Sequence, residues 1–110
     1  MTLIAHIDLN AFEHNVARIV ADVSPAKTWI AIKSHAYGHG MLELADNAIR
    51  AGASGLAVLD VPAALRLREH GIQATLFAWL HGSETDFEAA VSANIDVGVS
   101  SIAQLDAVAA

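Results

Sequence analysis

The stretch Trp29-Ile30-Ala31-Ile32-Lys33-Ser34-His35-Ala36-Tyr37-Gly38-His39-Gly40 decides the fold of this chain. Its first residues form a short apolar run, which predicts a buried parallel strand, and the two glycines that follow predict a loop. The strand is expected to end at Lys33, one of only two lysines in the 110 residues. Because the strand is apolar up to its last residue, it brings the Lys33 amine to the rim of a sheet or barrel, where we expect the chemistry to lie.

A lysine at the end of a strand has two interpretations. Most such lysines are solvated charges, since a lysine keeps its ammonium group in water wherever it can. A lysine that is partly withdrawn from water binds its proton less tightly, and the free amine can then attack a carbonyl and form a Schiff base. Position alone favours the solvated charge, so the neighbouring residues must decide between the two.

Composition excludes several classes of function. The 110 residues suffice for one domain with a core but fall below the roughly 250 of a complete eight-stranded barrel. A net charge of −6 without a basic block argues against nucleic acid as a partner, and the absence of cysteine excludes disulfides and thiolate metal sites. The amino terminus has no signal-peptide pattern, and charges interrupt every apolar run before the ~18 to 20 residues that span a bilayer. We therefore expect a soluble, cytoplasmic protein with no membrane partner.

Apolar spacing and capping residues predict alternating strands and helices. Residues 3–9 are expected to form a leading strand, and Asn10 is expected to begin a helix through a capping box with Glu13. The apolar stripe of that helix is expected to consist of Phe12, Val16, Ile19 and Val23. The elements expected after the central strand are a helix at 41–50, a strand at 55–59, a helix capped by Asp60, a strand at 75–79, a helix begun at Ser83, a strand at 96–99 and a helix after Ser101.

Repeated strand-helix order without a hairpin implies a parallel sheet with right-handed crossovers. Two architectures satisfy this order, a doubly wound open sheet and all or part of a (β/α) barrel. A dinucleotide-binding fold needs Gly-x-Gly-x-x-Gly, and Gly38-His39-Gly40 supplies only two of these glycines. Both architectures bind ligands at the carboxyl ends of the strands, where Lys33 and Tyr37 fall.

Two other patterns have a functional and an ordinary interpretation. His35 and His39 are four residues apart, the spacing of two metal ligands on one helix face, but the intervening glycine argues against a helix. No carboxylate completes a metal site before Glu43, so we expect no metal site. Trp79, at the end of the third predicted strand, either lines a cofactor pocket or is a boundary aromatic residue, and the sequence leaves both open.

Three segments resemble the alanine racemase family. Residues 31–40, Ala-Ile-Lys-Ser-His-Ala-Tyr-Gly-His-Gly, are similar to its cofactor-lysine motif A-V-V-K-A-N-A-Y-G-H-G. Residues 7–15 are similar to the family's I-D-L-D-A-L-x-H-N opening, and residues 65–72 resemble its A-L-x-L-R-E-x-G-I segment. Related barrels such as the basic amino-acid decarboxylases share the lysine but not the Tyr-Gly-His-Gly sequence. The central motif is therefore specific, although Ser34 and His35 replace its usual Ala-Asn.

This resemblance implies the amino-terminal part, about half, of a (β/α)8 TIM-type barrel that binds pyridoxal 5'-phosphate (PLP) as a fold type III enzyme. It implies one partial domain over residues 1–110, with a leading strand and helix in 1–24 and the first four strand-helix units in 25–110. In that family the lysine matching Lys33 holds the cofactor covalently and then acts as one of two acid/base groups. The tyrosine matching Tyr37 binds the cofactor phosphate. A homodimer or other oligomer is also implied.

The implied reaction is the racemisation of L-alanine and D-alanine, which supplies D-alanine for peptidoglycan. In the family, the second base is a tyrosine from the other subunit's carboxyl-terminal domain, and Tyr37 is the only tyrosine of this chain. We therefore expect these 110 residues alone to be inactive. The alternatives are another fold type III PLP enzyme, such as a broad-specificity amino-acid racemase, and a non-catalytic PLP-binding or assembly domain.

Overall fold

The computed structural model describes residues 2–110, in which four strands alternate with six helices. In chain order these are α1 Leu9–Val23, β1 Trp29–Ala31, α2 Lys33–Tyr37, α3 Met41–Arg50, β2 Gly55–Val58, α4 Val61–His70, β3 Thr75–Ala78, α5 Phe87–Ser92, β4 Ile95–Val97 and α6 Ile102–Ala109. At least one helix follows every strand, which confirms the predicted repeat. Among residues 2–110, every helix is too short or too polar to cross a bilayer.

The strands form one parallel sheet in the order β1-β2-β3-β4. The chain adds each new strand beside the previous one and always on the same side. A doubly wound sheet reverses this order at a switch point, where its ligand binds. The observed order contains no reversal, so the four units are part of a (β/α) barrel and the doubly wound alternative is excluded for this part of the chain.

Only one face of the sheet is covered. That face carries the buried side chains Ile32, Leu56, Val58, Leu76, Ala78 and Ile95, which form the core with the helices. Side chains alternate along a strand, so the residues between them point to the other side. The open face, as we name it, consists of Trp29, Ala31, Gly55, Ala57, Thr75, Phe77 and Asp96, of which the β2 residues Gly55 and Ala57 are buried and the others are exposed or half-buried. In a complete barrel this face is the interior.

The predicted leading strand at residues 3–9 is wrong. Residues 2–8 form no regular element, and Leu3 and Ile4 are 93% and 71% exposed. An apolar alternation becomes a strand only where another strand pairs with it, and the described chain offers none here. The N-cap of α1 is also Asp8 rather than Asn10, because the Asp8 carboxylate accepts a hydrogen bond from the Ala11 amide at 3.0 Å.

The buried side of α1 differs from the predicted stripe. Val16 is buried, with Phe12 and Val20 half-buried beside it, whereas Ile19 and Val23 are 49% and 44% exposed. Residues four apart lie above one another on a helix, and these three contact the core and α3 along that line. Each step of four residues turns about 40° beyond a full helical turn, so the contact line winds around α1 towards Val20 and leaves Ile19 and Val23 to one side of it.

Strand β1 is neither as buried nor as long as predicted. It ends at Ala31, two residues before Lys33, and Trp29 is 40% exposed. The exposure of Trp29 follows from the position of β1, which is an edge strand among residues 2–110 and has its alternate side chains on the open face.

The bounds of four later elements also differ from the predictions. Strands β2 and β3 each end one residue early, at Val58 and Ala78, and the other two differ more. Helix α5 begins at Phe87 after the cap Asp86, rather than at Ser83. Strand β4 covers Ile95–Val97 rather than 96–99. Both predictions located the element and missed its bounds.

Helix α4 follows its sequence signals. Asp60 Oδ1 accepts a hydrogen bond from the Ala63 amide at 3.1 Å, Pro62 lies in the first turn, and Gly71 ends the helix at φ +104°. Glycine adopts that left-handed conformation without steric cost. These signals fix the start of α4 at Val61, three residues after the end of β2 at Val58.

We expect Asp60→Ala to lower the free energy of unfolding by about 1 kcal/mol, because the α4 amide loses its acceptor. Asp60→Asn, which keeps a side-chain oxygen, should lose only a few tenths of a kcal/mol, since asparagine caps about as well as aspartate. Urea unfolding followed by circular dichroism measures both. Equal losses would show that the charge of Asp60, rather than its hydrogen bond, stabilises the helix.

Candidate functional site

The carboxyl ends of the strands form a continuous rim. Beyond the strands proper, the Trp79 amide donates to the Val58 carbonyl at 3.2 Å and the Gly98 amide to the Ala78 carbonyl at 2.9 Å. Lys33 follows β1 at the same edge. The sheet hydrogen bonds therefore extend into the segments that carry the candidate residues.

The Lys33 amine lies over the Trp79 ring, with 5.5 Å between Nζ and the ring centroid. Trp79 packs edge-on against Phe77, with their ring centroids 5.7 Å apart. A cation within about 6 Å of an aromatic centroid is attracted by the ring. Lys33 is half-buried, and within residues 2–110 it has no ion-pair or hydrogen-bond partner. Trp79 thus borders the Lys33 amine, which forms no ion pair with a carboxylate among residues 2–110.

The segment α2, which follows β1, is a left-handed turn rather than a right-handed α-helix. Ser34, His35, Ala36 and Tyr37 have φ values between 54° and 57°. Each L residue in this conformation costs roughly 1 to 2 kcal/mol, so four in succession persist only when their surroundings hold them. The sequence predicted a loop here and missed its handedness. The neighbouring glycines were the one available signal, and they do not specify a turn of non-glycine residues.

Several contacts hold this turn in place. The Ala36 side chain is buried in the core, and the Ala36 amide donates to the Ile32 carbonyl at 3.0 Å. The His39 Nδ1 atom lies 2.9 Å from the Ala36 carbonyl oxygen and 3.1 Å from that of Tyr37. Tyr37 itself is 64% exposed. The turn is therefore anchored at its base, and it presents the Tyr37 side chain to solvent near the rim.

The two histidines of the motif do not form a metal site with their neighbours. His35 Nδ1 lies 3.5 Å from the Met41 amide, and His39 Nδ1 faces carbonyl oxygens. Across residues 2–110, no three histidine, aspartate or glutamate side chains are grouped so that they could hold a metal ion. The four-residue spacing does not place the rings on one right-handed helix face, because the segment between them is left-handed.

A cavity of about 170 Å³ adjoins the Lys33 side chain, and its lining includes Ser34, Asp60 and Arg66. Small-molecule sites usually measure about 300 to 1,000 Å³, so these residues form only part of a site. A larger cavity, of about 490 Å³, lies at the opposite edge of the sheet beside Arg68 and Thr75. Parallel barrels carry their chemistry at the carboxyl edge, which disfavours the larger cavity, whereas the smaller cavity lies at that edge and is lined by Lys33.

The arrangement at the rim can perform a limited set of reactions. A primary amine without a carboxylate partner can attack a carbonyl carbon, and it can accept or return a proton once it is free. An aromatic ring beside it can pack against a flat ligand. An exposed tyrosine hydroxyl on the same turn can donate a hydrogen bond to an anionic group.

Known proteins similar to this chain match it over nearly its whole length. The profile of the family described as alanine racemase, N-terminal domain, matches residues 7–110. A curated alanine racemase from Mycolicibacterium smegmatis is 46% identical over 104 residues, which cover 94% of this chain and 27% of that protein. One from Mycobacterium tuberculosis is 43% identical over 102 residues, which cover 93% of this chain and 27% of that protein.

Solved structures give the same relationship. The alanine racemase from D-cycloserine producing Streptomyces lavendulae matches with a TM-score of 0.90 and 37% identity, over 93% of this chain and 27% of that one. The alanine racemase from Streptomyces coelicolor A3(2) matches with a TM-score of 0.88 and 33% identity, over 93% of this chain and 28% of that one. The chain thus spans little more than a quarter of the length of these relatives. Its four strand-helix units correspond to the amino-terminal part of their barrel, which confirms the predicted fold class.

Proposed function

Since the chain belongs to the alanine racemase N-terminal domain family, we propose that it supplies the cofactor-lysine part of a PLP-dependent alanine racemase. The observation that carries this proposal is the position of Lys33, a half-buried residue two positions beyond β1 whose amine lies 5.5 Å from the Trp79 ring centroid. An amine in such a place is available to an aldehyde. The interconversion of L-alanine and D-alanine is proposed for the whole protein, from the names of its relatives.

The residues present fit part of PLP. Lys33 suits the aldehyde, Trp79 offers a flat apolar surface for the pyridine ring, and the exposed Tyr37 hydroxyl can donate to the phosphate. One hydroxyl is a small donor set for a phosphate group, so we propose that residues outside these 110 complete the phosphate site. When bound, PLP supplies an electron-withdrawing ring that stabilises negative charge at the substrate α-carbon.

Lys33 performs two tasks in the proposed mechanism. It first holds the cofactor covalently, and it later uses its free amine to remove or return a proton at one face of the α-carbon. Racemisation also needs a proton on the opposite face, which a single amine cannot reach from its position. The only tyrosine of this chain is Tyr37, which we assign to phosphate. The second acid/base group is therefore proposed to lie outside these residues.

The open face supports a proposal about assembly. On this face Trp29 is exposed and Phe77 is half-buried, and β1 and β4 each leave one edge unpaired among residues 2–110. Unpaired edges and apolar faces promote association. We propose that further barrel strands cover this face, and that residues 1–110 are one partial domain, with the leading segment in 1–24 and four units in 25–110. A homodimer in the cytoplasm, supplying D-alanine for peptidoglycan, completes the proposal.

A second candidate, a non-catalytic PLP-binding or assembly domain, is favoured by the same open face. A broad-specificity racemase is the remaining alternative, because no residue described here recognises the methyl side chain of alanine.

The test combines PLP binding with turnover in the purified 110-residue chain. We expect titration with PLP to give the absorbance of lysine-bound cofactor, which borohydride then fixes covalently. We expect no conversion of L-alanine to D-alanine above the protein-free control, because we propose that the second acid/base group lies outside these residues. Robust turnover by the monomeric chain would show that these residues hold both groups. Failure of PLP to attach would contradict the role proposed for Lys33.

A further inference from the structure

We infer that His39 is a positioning residue, whose Nδ1–H group fixes the left-handed turn at Tyr37 and thereby the direction in which the Tyr37 side chain leaves the rim. The inference deepens the proposed function, on which the role of Tyr37 in holding a phosphate rests. His39 is not proposed to touch the cofactor or the substrate.

The geometry around His39 is specific to Tyr37. The Nδ1 atom lies 2.9 Å from the Ala36 carbonyl oxygen and 3.1 Å from the Tyr37 carbonyl oxygen. These two carbonyls belong to the peptide groups on either side of the Tyr37 Cα atom. A single N–H that donates to both therefore restrains both backbone torsions of Tyr37. Because carbonyl oxygens only accept, the hydrogen must reside on Nδ1.

Tyr37 lacks the side-chain burial that holds Ala36, and backbone hydrogen bonds, from the His39 amide to the Ala36 carbonyl and from the Gly38 amide to the Ser34 and His35 carbonyls, hold its two peptide groups only in part. It adopts φ 54°, a conformation that is unfavourable for an L residue, and its side chain is 64% exposed. Ala36, in the same conformation, is held by burial of its side chain and by the hydrogen bond that its amide donates to the Ile32 carbonyl. No backbone amide among residues 2–110 is found on the Tyr37 carbonyl, so the His39 ring is its one hydrogen-bond donor there.

A first experiment measures the tautomer of His39 without reference to PLP. In the ¹⁵N-histidine-labelled chain, at a pH where the ring is neutral, we expect Nδ1 to be protonated and Nε2 to be unprotonated. The signal is assigned by its loss in His39→Asn. A predominant Nε2–H tautomer would overturn the inference, because Nδ1 could not then donate to either carbonyl.

A second experiment compares two variants. His39→Asn places an amide N–H close to the position of Nδ1 and keeps a donor, whereas His39→Leu removes it. We expect His39→Leu to weaken the affinity for PLP about tenfold, a typical factor for the loss of one good hydrogen bond, and His39→Asn to stay within about twofold of the native chain. The amide order parameter of Tyr37 should fall from about 0.85 to below about 0.6 in His39→Leu alone.

Urea unfolding separates positioning from general stability. His39 is exposed, and the core contact of Ala36 is untouched, so both variants should unfold at similar urea concentrations. If His39→Leu retains both the native PLP affinity and a rigid Tyr37 amide, the inference is overturned. If the native chain binds no PLP, the proposed function fails, and the tautomer and order parameter still decide whether His39 restrains Tyr37.

Discussion

Lys33→Ala is expected to abolish covalent attachment of PLP, whereas Lys27→Ala is expected to leave it unchanged. The two are the only lysines of the chain, so they form a matched pair. Lys27 is exposed and precedes β1, which puts it at the amino edge of the sheet. Lys33 is half-buried at the carboxyl edge beside Trp79. At the Lys33 position, the Trp79 ring offers an aromatic surface for PLP, and Tyr37 follows four residues later in the chain to bind its phosphate.

The measurement is the absorbance of the lysine-bound cofactor, followed by borohydride reduction, proteolysis and mass spectrometry of the labelled peptide. Lys33→Arg is the sharper control, because it keeps a positive charge near Trp79 but replaces the nucleophilic amine with a guanidinium that stays protonated. We expect it to behave like Lys33→Ala. Label found on Lys27 in the native chain, or unchanged labelling in Lys33→Ala, would remove Lys33 from its proposed role.

The position of Lys33 at the rim could be predicted because its signals are local. An apolar run followed by a lysine and a glycine-containing loop specifies a strand end whatever the rest of the chain does. Helix α3 occupies Met41–Arg50, as its apolar spacing predicted, and Asp60 and Gly71 mark the two ends of α4. Each of these features depends on residues that are close in sequence.

The errors concern properties that depend on distant residues. The exposure of Trp29 follows from the absence of cover on the open face, which periodicity within β1 does not report. The contact between Lys33 and Trp79 spans three strands and requires their register. Residues 3–9 have an alternating pattern, but strand formation also needs a partner. The handedness of the turn at residues 34–37 could not be predicted for another reason, because residue types such as Ala36 ordinarily favour the right-handed conformation.

Arg68→Met is expected to lower the free energy of unfolding by about 3 kcal/mol. The Arg68 guanidinium donates to four backbone carbonyls, those of Ala93, Ile72, Ala74 and Asn94, at 2.7 to 2.8 Å. A hydrogen bond from a charged donor contributes about 1.5 to 3 kcal/mol, and water replaces part of the loss where the group is half-exposed. The expected loss in the free energy of unfolding is therefore smaller than that of four independent hydrogen bonds. It remains a large fraction of the ~5 to 15 kcal/mol that stabilises a domain.

Arg66→Met is the matched control, since Arg66 is exposed on the same helix and its replacement should change the free energy of unfolding by less than about 0.5 kcal/mol. The loss in the free energy of unfolding of Arg68→Lys should lie between those of the two variants, because an ammonium group cannot reproduce the planar set of donors of the guanidinium. Urea unfolding measures all three. Equal losses in Arg66→Met and Arg68→Met would mean that charge or helix propensity, rather than the carbonyl contacts, underlies the effect.

The contacts of Arg68 also predict which part of the structure opens first in Arg68→Met. They join the connection before β3, through Ile72 and Ala74, to the connection before β4, through Ala93 and Asn94. Hydrogen exchange in Arg68→Met should therefore rise first at β4 and its flanks. The rim around Lys33 lies at the other end of the sheet, and its hydrogen bonds do not involve Arg68. Below the unfolding transition, Arg68→Met should still attach PLP, because in this fold the amino edge provides stability and the carboxyl edge provides chemistry.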